Sequence, residues 1–355
     1  MTVPRGAIDC DIHPAVPSFA ALMPYLDEYW REAVAMRGID KLPLDITSYP
    51  AGAPLAGRPD WRPKTGAPGS DFEMLRAQAL DGFGTRFAIC NVLHGAQMLF
   101  QDDMAAAFCG AINEWIAREL LDRDERLCAS IVAPIQNVAL AVAEIERRAA
   151  DRRFVQVLVL SQADMPLGRR HYWPIYEAAE RLGLPVGIHA GSMYRHAPSS
   201  AGWPSYYVED YVAYAGGFEN QLLSLIAEGV FAKFPKLKVV LIESGVTWLP
   251  AFFWRANKTW RGVRTDIPWV KRPPAEYVRD HVRLTIQPMD APPSAAQLER
   301  VIEQIGSDDM LLFSTDYPHW QFDGEPALPA PLAGRLAEKI LVENPLATYP
   351  RLEER

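Results

Sequence analysis

The strongest constraint on the fold is a repeat in which short apolar runs alternate with segments of helical periodicity. Most of the runs are apolar at consecutive positions, which is typical of parallel strands covered on both faces, because a half-exposed antiparallel strand would alternate. The runs span residues 7–13, 87–93, 127–135, 155–161, 185–191, 237–244, 282–288 and 310–318.

Amphipathic segments of helix length lie between these runs. In residues 138–149, for example, Ala141, Ile145 and Ala149 share one face of a helix. The predicted helices span 104–121, 138–149, 173–182, 220–234, 295–305 and 333–342. Eight strands that alternate with helices predict an α/β fold, a (β/α)8 TIM barrel. A doubly wound sheet is the alternative, which is weakened because no strand is followed by a GxGxxG turn.

We expect residues 1–355 to form a single barrel domain with two insertions at its rim. Residues 42–70 are rich in Pro and Gly, which predicts an irregular excursion after the first strand. Residues 192–218 follow the fifth strand and carry a run of aromatic side chains, namely Tyr194, Trp203, Tyr206, Tyr207, Tyr211 and Tyr214. Both insertions leave the carboxyl ends of strands, so we expect them to wall a pocket. Burial of these aromatics against a partner subunit, in a homodimer, has equal weight.

The composition excludes several classes of protein. Hydrophobic residues make up 49% of the chain and charged residues 23%, which is typical of soluble globular proteins and not of disordered ones. With 36 basic and 44 acidic residues and no basic run, the chain is not expected to bind nucleic acid. The four cysteines lack CxxC spacing and predict reduced thiols in a cytoplasmic protein. Neither a signal peptide nor a membrane span is expected, and the expected partner is a small-molecule substrate.

Ionisable residues lie where the predicted strands end. Asp11 and His13 stand two positions apart in the first run, and alternation in a strand points both side chains to one face. His189, Glu243 and Asp316 lie near the ends of the fifth, sixth and eighth runs. Because the carboxyl ends of parallel strands meet at one end of a barrel, we expect these side chains to converge.

Buried acids and imidazoles require compensation, and a divalent cation bound by Asp11, His13, His189 and Asp316 would provide it. Mixed imidazole and carboxylate ligands favour one Zn²⁺ ion, with Mn²⁺ and Fe²⁺ as alternatives. Each signal alone is weak, since a strand histidine is commonly structural and Asp316 also fits a turn. Their common position at strand ends carries the prediction.

Four motifs resemble the amidohydrolase superfamily: DCDIH at 9–13, PVGIHAG around His189, FPKLKVVLIESGVTWLP around Glu243 and FSTDYPHW around Asp316. They are most similar to the branch that includes aminocarboxymuconate-semialdehyde decarboxylase and the resorcylate-type decarboxylases. The resemblance implies a metal-dependent barrel in which Asp11 and His13 form an acid-x-His variant of the first ligand pair. It implies that His189 and Asp316 are metal ligands. The decarboxylases commonly have a catalytic histidine at the strand-six position, where this chain has Glu243.

The main functional expectation is a metal-dependent hydrolase that acts on a small organic substrate. The cation would lower the pKa of a bound water from 15.7 toward ~7, Asp316 would accept its proton, and Glu243 would orient or relay. The alternative is a non-oxidative decarboxylase of an aromatic or unsaturated acid, with Glu243 as the acid. A second alternative is a metal-free binding or dimerisation barrel.

Further residues are candidates for substrate contact. His319, three residues after Asp316, and His94, after the second strand, are expected at the same rim. His281 precedes the seventh strand and is expected to be structural at the opposite end, and Arg195 is expected to be a solvated surface residue. The aromatic content favours a planar or apolar substrate.

Overall fold

The structure, a computed structural model, describes residues 6–42, 57–322 and 328–355. Within them, eight parallel strands form one sheet whose spatial order follows the chain. The strands are β1 Ile8–Ile12, β2 Phe87–Cys90, β3 Leu127–Val132, β4 Phe154–Gln162, β5 Val186–Ser192, β6 Val239–Ile242, β7 Val282–Thr285 and β8 Leu311–Leu312. Each lies within or overlaps a predicted run.

Backbone hydrogen bonds join β1 to the chain around β8 and nearly close the sheet. The Cys10 amide donates to the Phe313 carbonyl at 2.9 Å, and the Asp316 amide donates to the Asp11 carbonyl at 3.0 Å. Every position of the nine-residue strand β4 is buried, as expected for a parallel strand covered on both faces. The predicted (β/α)8 TIM barrel is confirmed.

Helices occupy most of the connections between strands. They are α1 Glu28–Arg37, α2 Phe72–Leu75, α3 Asp102–Trp115, α4 Val138–Ala149, α5 Trp173–Leu182, α6 Tyr207–Ala227, α7 Val230–Lys233, α8 Leu249–Val263, α9 Pro274–His281, α10 Ala295–Ile305 and α11 Asn344–Thr348. Local signals explain some bounds: the Asn137 side chain accepts from the first amides of α4, and Gly183 ends α5 in the left-handed conformation. In the described residues, no helix is long and apolar enough to cross a membrane.

Three predicted helices differ from the observed ones. Helix α3 continues through residues 116–121 as a π-helix. Helix α6 begins at Tyr207, whereas the sequence predicts a helix from residue 220. The first turns of α6 carry tyrosines on the face toward the barrel, so the apolar periodicity that would indicate a helix is not visible there. In the segment 333–342, helical turns begin only at 337, and Gly334, a poor helix former, lies in the non-helical part.

The described parts of the two insertions lie at the carboxyl end of the barrel. Residues 43–56 of the first insertion are outside the described residues. In its remainder, the Arg58 amide donates to the Pro318 carbonyl at 2.8 Å, and the Trp61 ring stacks on Phe322 at 5.6 Å. The second insertion, residues 192–218, forms a rim loop and the first half of α6. We call this end of the barrel the mouth.

The carboxyl-terminal segment closes the opposite end, which we call the floor. Arg351 is 2% exposed and donates to the carbonyls of Ala149, Phe154 and Leu182 at 3.2, 2.7 and 3.1 Å. The ring of Tyr349 is fully buried beside it. The floor thus holds polar side chains that are fixed by hydrogen bonds to the ends of neighbouring elements.

Candidate metal centre

The five residues predicted from the strand ends meet at the mouth. Asp11 lies in β1 and His13 directly follows it, His189 lies in β5, Glu243 directly follows β6, and Asp316 lies in the loop after β8. All five side chains are at most 7% exposed. The barrel therefore delivers residues from distant parts of the sequence to one buried site.

Four potential ligand atoms surround the Nε2 atom of His13. Asp11 Oδ1 and Glu243 Oε1 each lie 3.1 Å from it, Asp316 Oδ1 lies at 3.2 Å, and His189 Nε2 at 3.4 Å. Glu243 Oε1 also lies 3.2 Å from His189 Nε2. One imidazole nitrogen carries at most one proton, so it satisfies only one of these neighbours by donation.

The other nitrogens of the two imidazoles have defined partners. His13 Nδ1 donates to the Asn91 carbonyl at 2.9 Å, and His189 Nδ1 donates to the Ala190 carbonyl at 2.6 Å. In their neutral forms both rings then direct the lone pair of Nε2 toward the same point. Such an arrangement is repulsive without additional protons or a cation between the rings.

Buried carboxylate oxygens in the cluster lack hydrogen-bond donors. Asp11 Oδ2, Glu243 Oε1 and Asp316 Oδ2 have no hydrogen-bond partner among the described residues. Unsatisfied buried acceptors of this kind are costly unless a cation compensates them. The imidazole and carboxylate donors fit a divalent transition-metal ion, as the sequence predicts.

The candidate ligands form two overlapping groups of four. Asp11, His13, His189 and Glu243 make the first group, and His13, Glu243, Asp316 and His319 make the second. The sequence places Asp316, rather than Glu243, with the first three. Glu243 is thus an additional candidate ligand, and Asp316 lies on the side of the cluster that contains His319.

The charges in the cluster shift several pKa values. Burial alone would lower the pKa of His13, but Asp11, Asp316 and Glu243 raise it well above its usual value. Burial opposes ionisation of Glu243, yet His189, His13 and His319 hold its pKa well below the usual range. Burial and the charge of Glu243 raise the pKa of Asp316 to about 6. The site therefore strongly favours bound positive charge.

The backbone at two of these acids is strained. Glu243 has a backbone φ of 59° and Asp316 has a φ of 55°. Both values lie in the left-handed region, which residues other than glycine rarely adopt. Conformations of this kind cost of order 1–3 kcal/mol and concentrate at functional sites. The fold holds both carboxylates in place at the expense of backbone stability.

His319 belongs to the cluster, as its position after Asp316 predicts. Its Nδ1 atom donates to Asp316 Oδ1 at 2.6 Å, and its ring stacks on His13 with a centroid distance of 4.5 Å. The charge of Asp316 raises the pKa of His319 to about 9 despite burial, which lowers it. An imidazolium and a carboxylate thus form a hydrogen-bonded pair at the edge of the candidate metal centre.

A cavity of about 250 Å³ opens beside Glu243, and α6 provides one of its walls. Tyr211 and Tyr214 line it, together with Pro288 and Asp290. Gln321 of the loop after β8 donates to the Tyr211 hydroxyl. Two of the aromatic side chains of residues 192–218 thus line this cavity.

The remaining candidates have different outcomes. His94 lies outside both ligand groups, and burial lowers its pKa to about 4. His281 Nδ1 donates to the Leu237 carbonyl at 2.9 Å at the floor end, as expected for a structural residue. The expectation that Arg195 is solvated is wrong. Its side chain is 8% exposed because the loops after β2 and β4 enclose it, with Leu99 O and Asp164 as partners.

Sequence reasoning missed Asn91, which contacts two of the candidate ligands. Its carbonyl accepts from His13, and its Nδ2 atom donates to Asp11 Oδ1 at 2.8 Å. Asn91 directly follows β2, so the signal was a polar residue at the end of an apolar run. Gln321 was also missed, and no local pattern marks it.

Comparisons with known proteins agree with the fold and the motifs. The family model described as Amidohydrolase matches residues 8–351. Among curated proteins, a gamma-resorcylate decarboxylase from a Polaromonas species is 24% identical over 262 residues, which is 71% of this chain and 79% of that protein. A gamma-resorcylate decarboxylase from Rhodococcus jostii is 25% identical over 267 residues, 70% of this chain and 78% of that protein.

Solved structures share the whole architecture. A dihydroxybenzoic acid decarboxylase from Polaromonas, with bound manganese and 2-nitroresorcinol, has a TM-score of 0.68 at 20% identity and covers 98% of this chain and 97% of that chain. A 5-carboxyvanillate decarboxylase from Sphingomonas paucimobilis has a TM-score of 0.68 at 20% identity, covering 98% and 99%. An amidohydrolase from Mycobacterium avium subsp. paratuberculosis has a TM-score of 0.72 at 21% identity, covering 98% of each chain.

Proposed function

Because this chain belongs to the amidohydrolase family, we propose that it is a metal-dependent decarboxylase that removes CO₂ from an aromatic acid. The observation that carries the proposal is the convergence of imidazoles and carboxylates beside a cavity walled by tyrosine rings. The names of the relatives support this alternative better than the hydrolase that the sequence alone favours.

The proposed ligands of the cation are Asp11, His13, His189 and Glu243, with Asp316 adjacent to them. A bound divalent cation would supply positive charge that attracts and stabilises the anionic oxygens of an aromatic acid. Manganese is present in the similar Polaromonas structure, and Zn²⁺ is the ion that the sequence favours. The donor set suits either ion.

The residues of the chain provide binding and proton transfer. Decarboxylation breaks the bond between a ring carbon and the carboxyl carbon, CO₂ leaves, and the electron pair remains on the ring carbon, which takes up one proton. We assign the delivery of this proton to the pair of His319 Nδ1 and Asp316 Oδ1, which are hydrogen-bonded at 2.6 Å. The resemblance implies that such decarboxylases commonly have a histidine at strand six. In this chain His319 would bring an imidazole to the cluster while Glu243 serves as a ligand.

The walls of the cavity support an aromatic substrate. Tyr211 and Tyr214 present flat rings on one side and Pro288 lies among the other lining residues. Aromatic rings pack against one another in offset or edge-to-face arrangements, which suits a planar ligand of the size of a benzoate. His94 remains a candidate for substrate contact, with a neutral imidazole at neutral pH.

The test is a decarboxylation assay of the metal-loaded protein with a panel of hydroxybenzoates that includes 2,6-dihydroxybenzoate. We expect release of CO₂ and formation of the phenol, with one solvent deuterium on the ring when the reaction runs in D₂O. Removal of the metal by a chelator should abolish CO₂ release without unfolding the protein, and added Mn²⁺ or Zn²⁺ should restore it. Activity that persists in metal-depleted protein would contradict the metal dependence.

Hydrolysis is the second candidate because a carboxylate, Glu243, occupies the position of the catalytic histidine of the decarboxylases. A screen of aromatic esters, amides and lactones in H₂¹⁸O distinguishes the two reactions. Incorporation of ¹⁸O into a carboxylic acid product, with no CO₂ from the hydroxybenzoate panel, would replace decarboxylation by hydrolysis. A protein that binds no divalent metal and turns over neither panel would leave the binding barrel as the function.

A further inference from the structure

A chain of buried side chains runs through the interior of the barrel from the floor to the candidate metal centre. It consists of Tyr349, Gln156, Ser130, Asn91 and Asp11, and each of these residues is fully buried. Tyr349 belongs to the floor, Gln156 and Ser130 lie within β4 and β3, and Asn91 follows β2. The chain therefore passes from one end of the barrel to the other.

Every hydrogen bond in this chain points toward the mouth. The Tyr349 hydroxyl donates to Gln156 Oε1 at 3.0 Å, and Gln156 Nε2 donates to Ser130 Oγ at 2.8 Å. The Ser130 hydroxyl then donates to Asn91 Oδ1 at 2.6 Å, and Asn91 Nδ2 donates to Asp11 Oδ1 at 2.8 Å. Successive donors with the same direction polarise one another and fix a single arrangement.

This direction settles the orientation of the Asn91 amide. Because its oxygen accepts the Ser130 hydroxyl proton, its nitrogen faces Asp11 as a donor. A reversed amide would place its oxygen against the Asp11 carboxylate, which is a repulsive contact between two acceptors. The chain thus presents an N–H to Oδ1 of Asp11 and leaves Oδ2, which has no hydrogen-bond partner among the described residues, for another interaction.

Asn91 also orients the second candidate ligand of the β1 segment. Its backbone carbonyl accepts from His13 Nδ1 at 2.9 Å, which leaves Nε2 of His13 facing the cluster. One residue therefore directs Asp11 through its side chain and His13 through its backbone. Partners of this kind orient metal ligands in proteins, and their loss typically costs 10–100-fold in metal affinity.

Gln156, in the middle of this hydrogen-bonded series, fits into the barrel interior only because the neighbouring residue 187 is a glycine without a side chain. A Cβ atom at Gly187 in β5 would lie 2.5 Å from Cδ and Nε2 of Gln156. Real Cβ atoms do not approach other atoms so closely, so any larger residue at 187 would displace Gln156. Gly187 and Tyr349 together fix the middle and the far end of the chain.

We propose that Asn91 is a positioning residue for the metal centre, and that the chain from Tyr349 through Gln156 and Ser130 holds it in its orienting conformation. The inference deepens the proposed function, because it presupposes a cation at the cluster. It assigns no contact with substrate to any of the four residues.

The test measures binding of the metal alone. In Asn91→Ala the donor to Asp11 is lost while the carbonyl that accepts from His13 remains, so we expect Mn²⁺ to bind about 10–100-fold more weakly than to the wild type. Ser130→Ala leaves Asn91 in place but frees its amide, and we expect a smaller loss of about threefold to tenfold in the same titration. The d–d absorption spectrum of the Co²⁺-loaded protein should change in both variants.

Thr348→Val is the matched control for Ser130→Ala. Thr348 is 1% exposed, and its hydroxyl donates to the Asn344 carbonyl at 2.7 Å. This hydrogen bond does not belong to the series that runs from Tyr349 to Asp11. Both substitutions remove one buried hydroxyl, so both should lower the thermal midpoint of the metal-free protein, but only Ser130→Ala should change Mn²⁺ affinity and the Co²⁺ spectrum. If Asn91→Ala does not fold, the comparison of Ser130→Ala with Thr348→Val decides the question.

Two results would overturn the inference. One is wild-type Mn²⁺ affinity and an unchanged Co²⁺ spectrum in both Asn91→Ala and Ser130→Ala, which leaves the proposed function intact. The other is a wild-type protein that binds neither Mn²⁺, Zn²⁺ nor Co²⁺, which removes the metal dependence of the proposed function as well.

Discussion

The mouth and the floor of the barrel both bury polar side chains, but these side chains differ in how many of their polar atoms have hydrogen-bond partners. At the floor, Arg351 donates through Nη1 and Nη2 to carbonyls of three neighbouring segments, and only its Nε lacks a hydrogen-bond partner among the described residues. At the mouth, Asp11, Glu243 and Asp316 each have a buried oxygen without a hydrogen-bond partner among the described residues. The hydrogen bonds of Arg351 at the floor link neighbouring segments and stabilise the fold, whereas the unpartnered carboxylate oxygens at the mouth converge on one point, where a cation would compensate them.

The largest effect is expected from a substitution that changes the charge at the mouth and does not alter any residue of the floor. Glu243→Gln removes one charge from the cluster, so we expect kcat/KM to fall by about 10³-fold, or ~4 kcal/mol. Steady-state assays with the substrate found in the decarboxylation screen check this. The matched control is Glu144→Gln, since Glu144 is a buried carboxylate on α4 that pairs with Arg147 and should affect stability alone.

The complementary substitution removes the hydrogen bonds of Arg351 at the floor. Arg351→Met leaves the carbonyls of Ala149, Phe154 and Leu182 without their donor, and we expect the free energy of unfolding to fall by about 3 kcal/mol. Urea denaturation measures it, and kcat/KM should stay at the wild-type value. Arg335→Met is the control, because its exposed ion pair with Asp308 is screened by solvent and should contribute little to stability. A floor variant that keeps its stability but loses activity would contradict the division between the two ends.

A smaller effect concerns the pH dependence of stability. Burial lowers the pKa of His94 at the mouth to about 4, so the folded protein keeps this imidazole neutral while the unfolded chain binds a proton below about pH 6.5. The contribution of His94 is therefore fully present above about pH 6.5 and is lost as the pH falls toward 4. In His94→Asn, we expect the decline in unfolding free energy over this window to be smaller by roughly 1–2 kcal/mol.

That difference is measured by chemical denaturation of the wild type and the variant at matched pH values. Subtracting the two curves removes the titration of the acidic cluster, which both proteins share. Parallel curves between pH 6.5 and 4 would mean that His94 is protonated in the folded state, against its burial.

The smallest effect concerns the tyrosine wall of the mouth. Tyr211→Phe removes the hydroxyl that accepts from Gln321 but keeps the ring, so we expect KM to rise by about threefold to tenfold with kcat unchanged. Tyr206→Phe is the control, since Tyr206 is 70% exposed just before α6. Equal KM values for the two variants would exclude a role of the Tyr211 hydroxyl in substrate binding.

The sequence predicts the strands and the residues at their ends because both depend on local patterns. The apolar runs mark the strands, and Asp11, His13, His189, Glu243 and Asp316 follow from their positions in those runs. What the residues do with each other depends on contacts between distant loops. The grouping of Glu243 with Asp11 and His189 is such a contact, and it distinguishes a candidate ligand from the base or relay expected from the sequence.

The failures of prediction have the same origin. Arg195 is buried because loops after β2 and β4 fold over it, and nothing near residue 195 indicates this. The start of α6 was missed because tyrosines that face the mouth replace the usual apolar stripe. Asn91 was missed because its importance lies in partners on β1 and β3, which only the assembled barrel brings together.

The left-handed backbone at Glu243 and Asp316 has an evolutionary consequence. A mutation to glycine at either position would relieve backbone strain and delete a carboxylate. Loss of the carboxylate would therefore cost little free energy of folding. Acids that persist at such positions in descendants of this chain would be maintained by selection on chemistry alone. Counting glycines at these two sites among those descendants would therefore identify lineages that have abandoned the reaction.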